Sequence, residues 1–257
     1  MSPPASTSPA SPARVDQRLR LPLADGRATT LHVARWSLAH TRVRIERLPA
    51  QQRLVDWCAE HGRPDALVGG FYTRPAGMPL GELRLAGAPV AHVPFADPWH
   101  ATRASLHVDG PAVAIDRRDA LADEPAGDLL QAGPLLVREG VVACVDGEDA
   151  EGFSAAAHQF DSDITARRHP RAAIAIGETE LLAVVADGRS HEDAGLTLGE
   201  LAAALAALGA RSAMNLDGGG SASLVCDGHL RNRPRERHGV ELAGGRAVTT
   251  VIAFDTA

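Results

Sequence analysis

The stretch Ala172-Ala173-Ile174-Ala175-Ile176-Gly177-Glu178-Thr179-Glu180-Leu181-Leu182-Ala183-Val184-Val185-Ala186 holds two short apolar runs divided by a polar turn. Runs this short, bounded by turn residues, read as strands joined through Gly177. Downstream, Thr197-Leu198-Gly199-Glu200 is a capping-box sequence: hydroxyl and carboxylate each satisfy an orphan amide of a helix start. Leu198, Leu201, Ala202, Leu205 and Leu208 then recur on one face, and Gly209 ends the helix. Residues 212–216, 222–226 and 248–254 read as further strands, with Asp227-Gly228 turning the second of these back into 229–231.

Upstream the same reading continues. Strands are expected at 18–23, 29–36, 41–46 and 66–68, with shorter ones at 81–85, 104–108 and 112–115. A helix is expected over 49–61, stopped by Gly62, and a hairpin over 134–145 turning at Glu139-Gly140. Residues 116–128 read as a charged loop and 147–168 carry no clear pattern. The expected fold class is α+β: a strand-rich single domain over residues 16–257, with a mixed or antiparallel sheet and a few packed helices. Residues 1–15, rich in Pro, Ser and Ala, read as a disordered leader.

Composition narrows the function. At 257 residues, with 45% hydrophobic and 23% charged residues, the chain can bury a full core, which excludes wholesale disorder. A formal net charge of -6 argues against nucleic-acid binding, which needs a basic face. The N-terminus lacks the apolar core of a signal peptide, and no stretch has the apolar length of a membrane span. The expectation is therefore a soluble, cytoplasmic protein with no membrane association. Cys58, Cys144 and Cys226 are far apart and odd in number, so neither a disulfide framework nor a zinc site is indicated. The histidines, His100, His107, His158, His169 and His191 among them, show no ligand spacing. Asp161-Ser162-Asp163 lacks the further offsets of a calcium loop and reads as solvated. No metal and no cofactor are expected.

Chemistry concentrates in Asn215-Leu216-Asp217-Gly218-Gly219-Gly220-Ser221. A strand delivers Asp217 to its end, and Asn215 shares its face at period two. Gly218, Gly219 and Gly220 let backbone approach a ligand, and successive amides of such a turn can form an anion-binding nest. A carboxylate beside amides and the Ser221 hydroxyl suits a polyhydroxylated, phosphorylated ligand. A plain glycine bend that binds nothing is the bland alternative. A Walker-type phosphate loop is excluded by the missing Gly-Lys ending.

These residues belong to an ordered series that resembles the phosphodiester glycosidase family. His169-Pro170-Arg171-Ala172-Ala173-Ile174-Ala175-Ile176-Gly177 is similar to the family's Pro-Arg-Thr-Ala-Ile-Gly segment. Val185-Ala186-Asp187-Gly188-Arg189-Ser190 is similar to its Val-Asp-Gly-Arg-Ser, and residues 196–201 to its helix start. Residues 215–221 match its Asn-Leu-Asp-Gly-Gly-Gly-Ser, and Asn232-Arg233-Pro234 its closing Asn-Arg-Pro. Gly69-Gly70-Phe71-Tyr72 and Gly133-Pro134-Leu135-Leu136-Val137 extend the series upstream. Val68 stands where the pattern has Asn, Ala172 where it has Thr, and Ala222 where it has a second Ser.

The resemblance implies hydrolysis of a sugar-1-phosphodiester into free sugar and a phosphate monoester, a small-molecule or glycan substrate. The leaving phosphate needs little protonation, so a cationic clamp and one carboxylate carry the reaction. Arg171 is the first candidate for the clamp, since a guanidinium can hold two phosphate oxygens, and Arg189 the second. Asp217 is the first carboxylate, with Asp187 and Glu200 in reserve; a turn role for Asp187 and a capping role for Glu200 compete with that. Asn215, residues 218–221, Gly70 and Asn232 are candidate substrate contacts. Two alternatives remain: a glycan- or phosphate-binding protein without catalysis, and a phosphodiesterase attacking phosphorus.

Overall fold

A computed structural model of the chain describes residues 14–154, 164–165 and 167–256. The aspartates 161 and 163, and most of the leader, lie outside the described residues, but residues 14 and 15 already form sheet, in the strand Arg14–Pro22. Three sheets make up the fold, and every pair of named strands is antiparallel. The α+β expectation with a strand-dominated single domain holds.

The first sheet has seven strands, running Arg14–Pro22, Ala28–Ser37, Glu180–Ala186, Arg171–Ile176, Ser212–Asn215, Leu135–Arg138, Val141–Val142. Its middle strand, Arg171–Ile176, is buried along nearly its whole length, which explains its small side chains. Ala172 and Ile174 point into one apolar cluster, whereas Ala173 and Ala175 point into another. The second cluster is closed by the helix Leu198–Ala207, through Leu198, Leu201, Ala202 and Leu205. That helix begins with the predicted capping box: Thr197 accepts from the Glu200 amide (3.1 Å), and Glu200 accepts from the Thr197 amide (3.0 Å).

The second sheet runs His229–Leu230, Leu224–Cys226, Ala66–Val68, Ala247–Thr256, Thr41–Arg53. It supplies Val43, Ile45, Leu67, Val251 and Phe254 to the first cluster, where Trp36 stacks on Phe254 at 4.1 Å. The third sheet, Ala88–Pro89, Leu83–Leu85, Asp128–Gln131, Ala104–Asp109, Ala112–Arg117, packs Leu83, Leu106 and Leu130 into the same cluster. No helix of the described residues is long and apolar enough to cross a membrane.

Two expectations need correction. The helix expected from residue 49 begins at Leu54, because the strand Thr41–Arg53 continues past Pro49. Its register against Ala247–Thr256 breaks between Val248 and Thr250, so Pro49 sits in the irregular stretch where it owes no ladder bond. The charged loop expected over 116–128 ends in a strand, Asp128–Gln131, paired on both sides by Leu83–Leu85 and Ala104–Asp109.

Candidate active site

Asp217 lies where the first and second sheets meet. As Ser212–Asn215 ends, the Leu216 amide still bonds the Ala172 carbonyl (2.9 Å), but the Asp217 amide crosses to the Gly69 carbonyl of the second sheet (3.1 Å). The carboxylate thereby enters a cleft of about 840 Å³ whose walls include Tyr72, His169, Arg171, Arg189, Asn215 and Arg246. Two substitutions show how tightly the glycine turn is held. A methyl group on Gly218 would lie 2.9 Å from the Pro170 carbonyl oxygen. Gly219, at φ +62, holds a left-handed conformation and faces the Arg189 guanidinium.

The turn does not form the expected amide nest. The Gly218 amide donates to the Asp217 carboxylate (2.9 Å), Gly219 to the Pro170 carbonyl (2.9 Å) and Ser221 to the Gly218 carbonyl (3.2 Å). Those donors are spent within the chain, so anion recognition falls to side chains. Arg189 and Arg246 are half-buried in the cleft wall. Arg189 donates to the Arg235 carbonyl (3.0 Å) and to His169 Nδ1 (3.2 Å). A guanidinium only donates, so Nδ1 accepts and His169 is the neutral Nε2–H tautomer. Burial, reinforced by Arg171, Arg189, Arg167 and Arg237, pushes the His169 pKa down to about 4, in agreement with that state.

Arg246 is clamped by the Glu236 carboxylate (2.6 Å to each oxygen) and approaches the Ser221 hydroxyl at 3.4 Å. Burial alone would raise the Glu236 carboxyl, but Arg246 holds it below the usual range, so it stays charged as an anchor. Asp217 differs. Burial pushes its pKa up to about 6, against the lowering pull of the Ser221 hydroxyl, Arg246 and the Gly218 amide. It is the one carboxylate among the described cleft residues poised near neutral pH.

Of the residues singled out from the sequence, Asp217, Arg171, Arg189, Asn215, Gly218 and Gly219 line the cleft together. Asn215 donates from Nδ2 to the Gly133 and Leu216 carbonyls (2.9 Å each), leaving its buried Oδ1 without a hydrogen-bond partner among the described residues. Arg171 Nε and Nη2 donate to the carbonyls of Leu196, Ile164 and Arg167, an arrangement that braces the cleft wall. Gly220 and Ser221 are buried just behind the turn, and the Gly70 amide is held by the Thr250 hydroxyl (3.0 Å).

Three candidates lie elsewhere. Asp187 accepts from His32 Nε2 (2.9 Å) and from the Arg233 amide (2.7 Å), in a separate pocket bordered by Arg18 and Arg231. Glu200 serves the capping box and is paired with Arg168, which holds its carboxyl below the usual range although burial opposes this. Asn232 ties the backbone at Leu224 (3.0 Å) to that at Ala222 (2.7 Å). Cleft residues that the sequence reading did not name as site candidates are Tyr72 and His169, though both stand in quoted motifs, and Arg74, Glu236, Arg237 and Arg246. Each stands directly after, or within a few residues of, a segment already singled out or a glycine turn (Gly69-Gly70, Asn232-Arg233-Pro234, Gly244-Gly245). Val68 and Ala172, which depart from the family pattern, are fully buried in the apolar core and do not line the cleft. No cluster of three or more His, Cys, Asp or Glu suited to a metal occurs among the described residues.

The profile of the phosphodiester glycosidase family matches residues 65–254. No curated protein matches the chain significantly. Among solved structures, one similar fold is the catalytic domain of zebrafish N-acetylglucosamine-1-phosphodiester alpha-N-acetylglucosaminidase, auto-inhibited by its pro-peptide. It is 20% identical with a TM-score of 0.73, over 98% of this chain and 87% of that one. A hypothetical protein from Synechocystis is 17% identical with a TM-score of 0.64, over 100% of this chain and 64% of its own. A protein described as exported, from Burkholderia pseudomallei, is 16% identical with a TM-score of 0.61, over 89% of this chain and 74% of its own. At these identities the structural matches establish the fold.

Proposed function

Because the chain belongs to the phosphodiester glycosidase family, we propose that it hydrolyses the glycosidic bond of a sugar-1-phosphodiester, releasing free sugar and a phosphate monoester. The observation that carries this reading is Asp217, a carboxylate raised to about 6 and set beside the arginine-lined wall of the family's motif cleft. Water attacks the anomeric carbon and gives its proton to ionised Asp217. The bond from that carbon to the phosphate oxygen breaks, and its electron pair stays on the phosphate. Arg189 and Arg246 stabilise the second negative charge that develops there. Such a leaving group departs without a general acid, which fits a cleft whose other carboxylate, Glu236, is locked to Arg246. Asn215 Oδ1, which has no hydrogen-bond partner among the described residues, would offer an acceptor to a sugar hydroxyl or amide.

The departures from the family pattern at Val68 and Ala172 fall in the core, which favours a working site over a binding protein that has lost catalysis. N-acetylglucosamine diesters are the first substrates to try, given the zebrafish relative's name. Hydrolysis in ¹⁸O-water should put the label in the sugar hydroxyl. Label in the phosphate monoester would mean attack at phosphorus and would remove this reading.

A further inference from the structure

The pocket that holds Asp187 shares no lining residue with the cleft. It has a volume of about 380 Å³, within the range of small-molecule sites. It forms where the edge strands Arg14–Pro22 and Ala28–Ser37 of the first sheet face Leu224–Cys226 of the second. Strand pairing explains its lining. Arg18 stands opposite His32 and Asp16 opposite Ala34, so all four present side chains to one face. Leu224 and Cys226 line it from the second sheet, and Arg231 and Arg233 from the segment that follows His229–Leu230.

The charges facing this pocket are unequally matched. Buried Asp187 spends Oδ2 on His32 Nε2 (2.9 Å) and Oδ1 on the Arg233 amide (2.7 Å). Asp16 is paired with Arg14 (2.6 Å) and Arg231 (3.1 Å), and Arg231 also meets Asp227 (3.1 Å). Among the described residues, the exposed guanidiniums of Arg18 and Arg233 make no hydrogen bond or ion pair. His32 adds a further polar group. A carboxylate only accepts, so Nε2 carries the proton that Asp187 receives, and Nδ1 is the nitrogen left over. No Phe, Tyr or Trp among the described residues lines the pocket to stack on a nucleobase. Burial pushes the Cys226 thiol up to about 12, so it stays protonated and the pocket holds no thiolate nucleophile.

We propose that this pocket is a second binding site, for a small, non-aromatic phosphate monoester held by Arg18 and Arg233. The two guanidiniums arrive from different sides, one on the edge strand of the first sheet, the other beyond the hairpin of the second. Each can engage two oxygens. A phosphate monoester presents three free oxygens around a tetrahedral centre, enough for two such forks, whereas a carboxylate presents two in one plane. The remaining volume takes a compact body, such as a single sugar, against Ala34 and Leu224. The site binds its ligand and performs no chemistry on it.

Calorimetric titration of the full chain with glucose 6-phosphate tests this without any turnover, so the result is independent of the hydrolase reading. Expected is a saturable event with Kd of about 1 mM or below at low salt, weakening as ionic strength rises. R18Q/R233Q should weaken that event by about tenfold or more, whereas R246Q, altered in the cleft, should leave it in place. Both exchanges lie at exposed positions, and circular dichroism checks that the double variant is folded. Should it not fold, R18Q alone should still weaken binding by about threefold or more. Orthophosphate, succinate and glucose should each bind more weakly than glucose 6-phosphate. No saturable event below about 10 mM, or none that the Arg18 and Arg233 exchanges weaken, would overturn the proposal. Orthophosphate or succinate binding as tightly as glucose 6-phosphate would defeat the assignment to a phosphate monoester.

Discussion

Asp217 combines chemistry and strain in one side chain. Its folded pKa of about 6 lies above the ordinary 3.8, so between those values the folded chain binds a proton that the unfolded chain releases. Stability therefore rises as pH falls through about 6 and stops rising below the unfolded value. At neutral pH the ionised carboxylate costs on the order of 3 kcal/mol. Asp217→Asn should then stabilise the protein by about 2–3 kcal/mol at pH 7, a gain that denaturant melts should show vanishing below pH 4. The same variant should lose activity by about 10²–10⁴-fold, the usual weight of a positioned general base. For the hydrolysis proposed above, kcat/KM of the parent protein should fall on the acid side with an apparent pKa near 6, since a protonated Asp217 cannot take the water's proton. An acid limb that persists unchanged in Asp217→Asn would assign that titration to another group.

Elements that carry both ends of their own signal were legible. The helix Leu198–Ala207 announces its start through Thr197 and Glu200 and its end through Gly209, which takes φ +92. Asp146 adds to that start by accepting from the Thr197 hydroxyl (2.6 Å) and the Gly199 amide (2.9 Å). Thr197→Ala should accordingly cost about 1–2 kcal/mol in chemical denaturation, with little change in kcat, because the cap lies away from the cleft. The strand Asp128–Gln131 was not legible: four residues following a charged run acquire their meaning only from partners some 20 and 45 residues earlier in the chain. The amide nest failed for a related reason. Glycines announce a tight turn, but the Gly218 amide turns back onto the neighbouring Asp217 carboxylate and the Gly219 amide is taken up by the Pro170 carbonyl, which tertiary packing supplies. Arg246 and Glu236 likewise become a pair only when the final strand docks, so the Gly244-Gly245 turn and the Asn232-Arg233-Pro234 motif beside them mark their neighbourhood but not their pairing.

Across the whole molecule, Asp187 is a tie between sheets. From the end of Glu180–Ala186 it holds His32 in the neighbouring strand and the Arg233 amide beyond the second sheet's hairpin. The chain running on from Arg233 carries Glu236 and Arg237 to the cleft, and Arg189, two residues past Asp187, bonds the Arg235 carbonyl. Asp187→Ala strips two buried or part-buried donors of their acceptor and should cost about 3 kcal/mol or more by urea melt. Asp187→Asn keeps one acceptor and should cost less. If the tie also sets the cleft, kcat should fall in Asp187→Ala even under conditions where the variant remains folded; an unchanged kcat would leave Asp187 with a purely structural role. This is why Asp187 and Asn232, each central to a recognisable motif in the sequence, do not themselves line the cleft: they hold in place the segments that do.

The central position of Ala247–Thr256 sets a timetable for biosynthesis. This strand lies between Ala66–Val68 and Thr41–Arg53, both translated long before it. While the ribosome is still making the C-terminal segment, those two early strands have no common neighbour, and the Gly69 amide has no Thr250 carbonyl to receive it. The second sheet, and with it the carbonyl that anchors Asp217, can only be completed after the last strand emerges. Nascent chains must therefore wait with apolar edges uncovered, a stage at which chaperone occupancy should be highest.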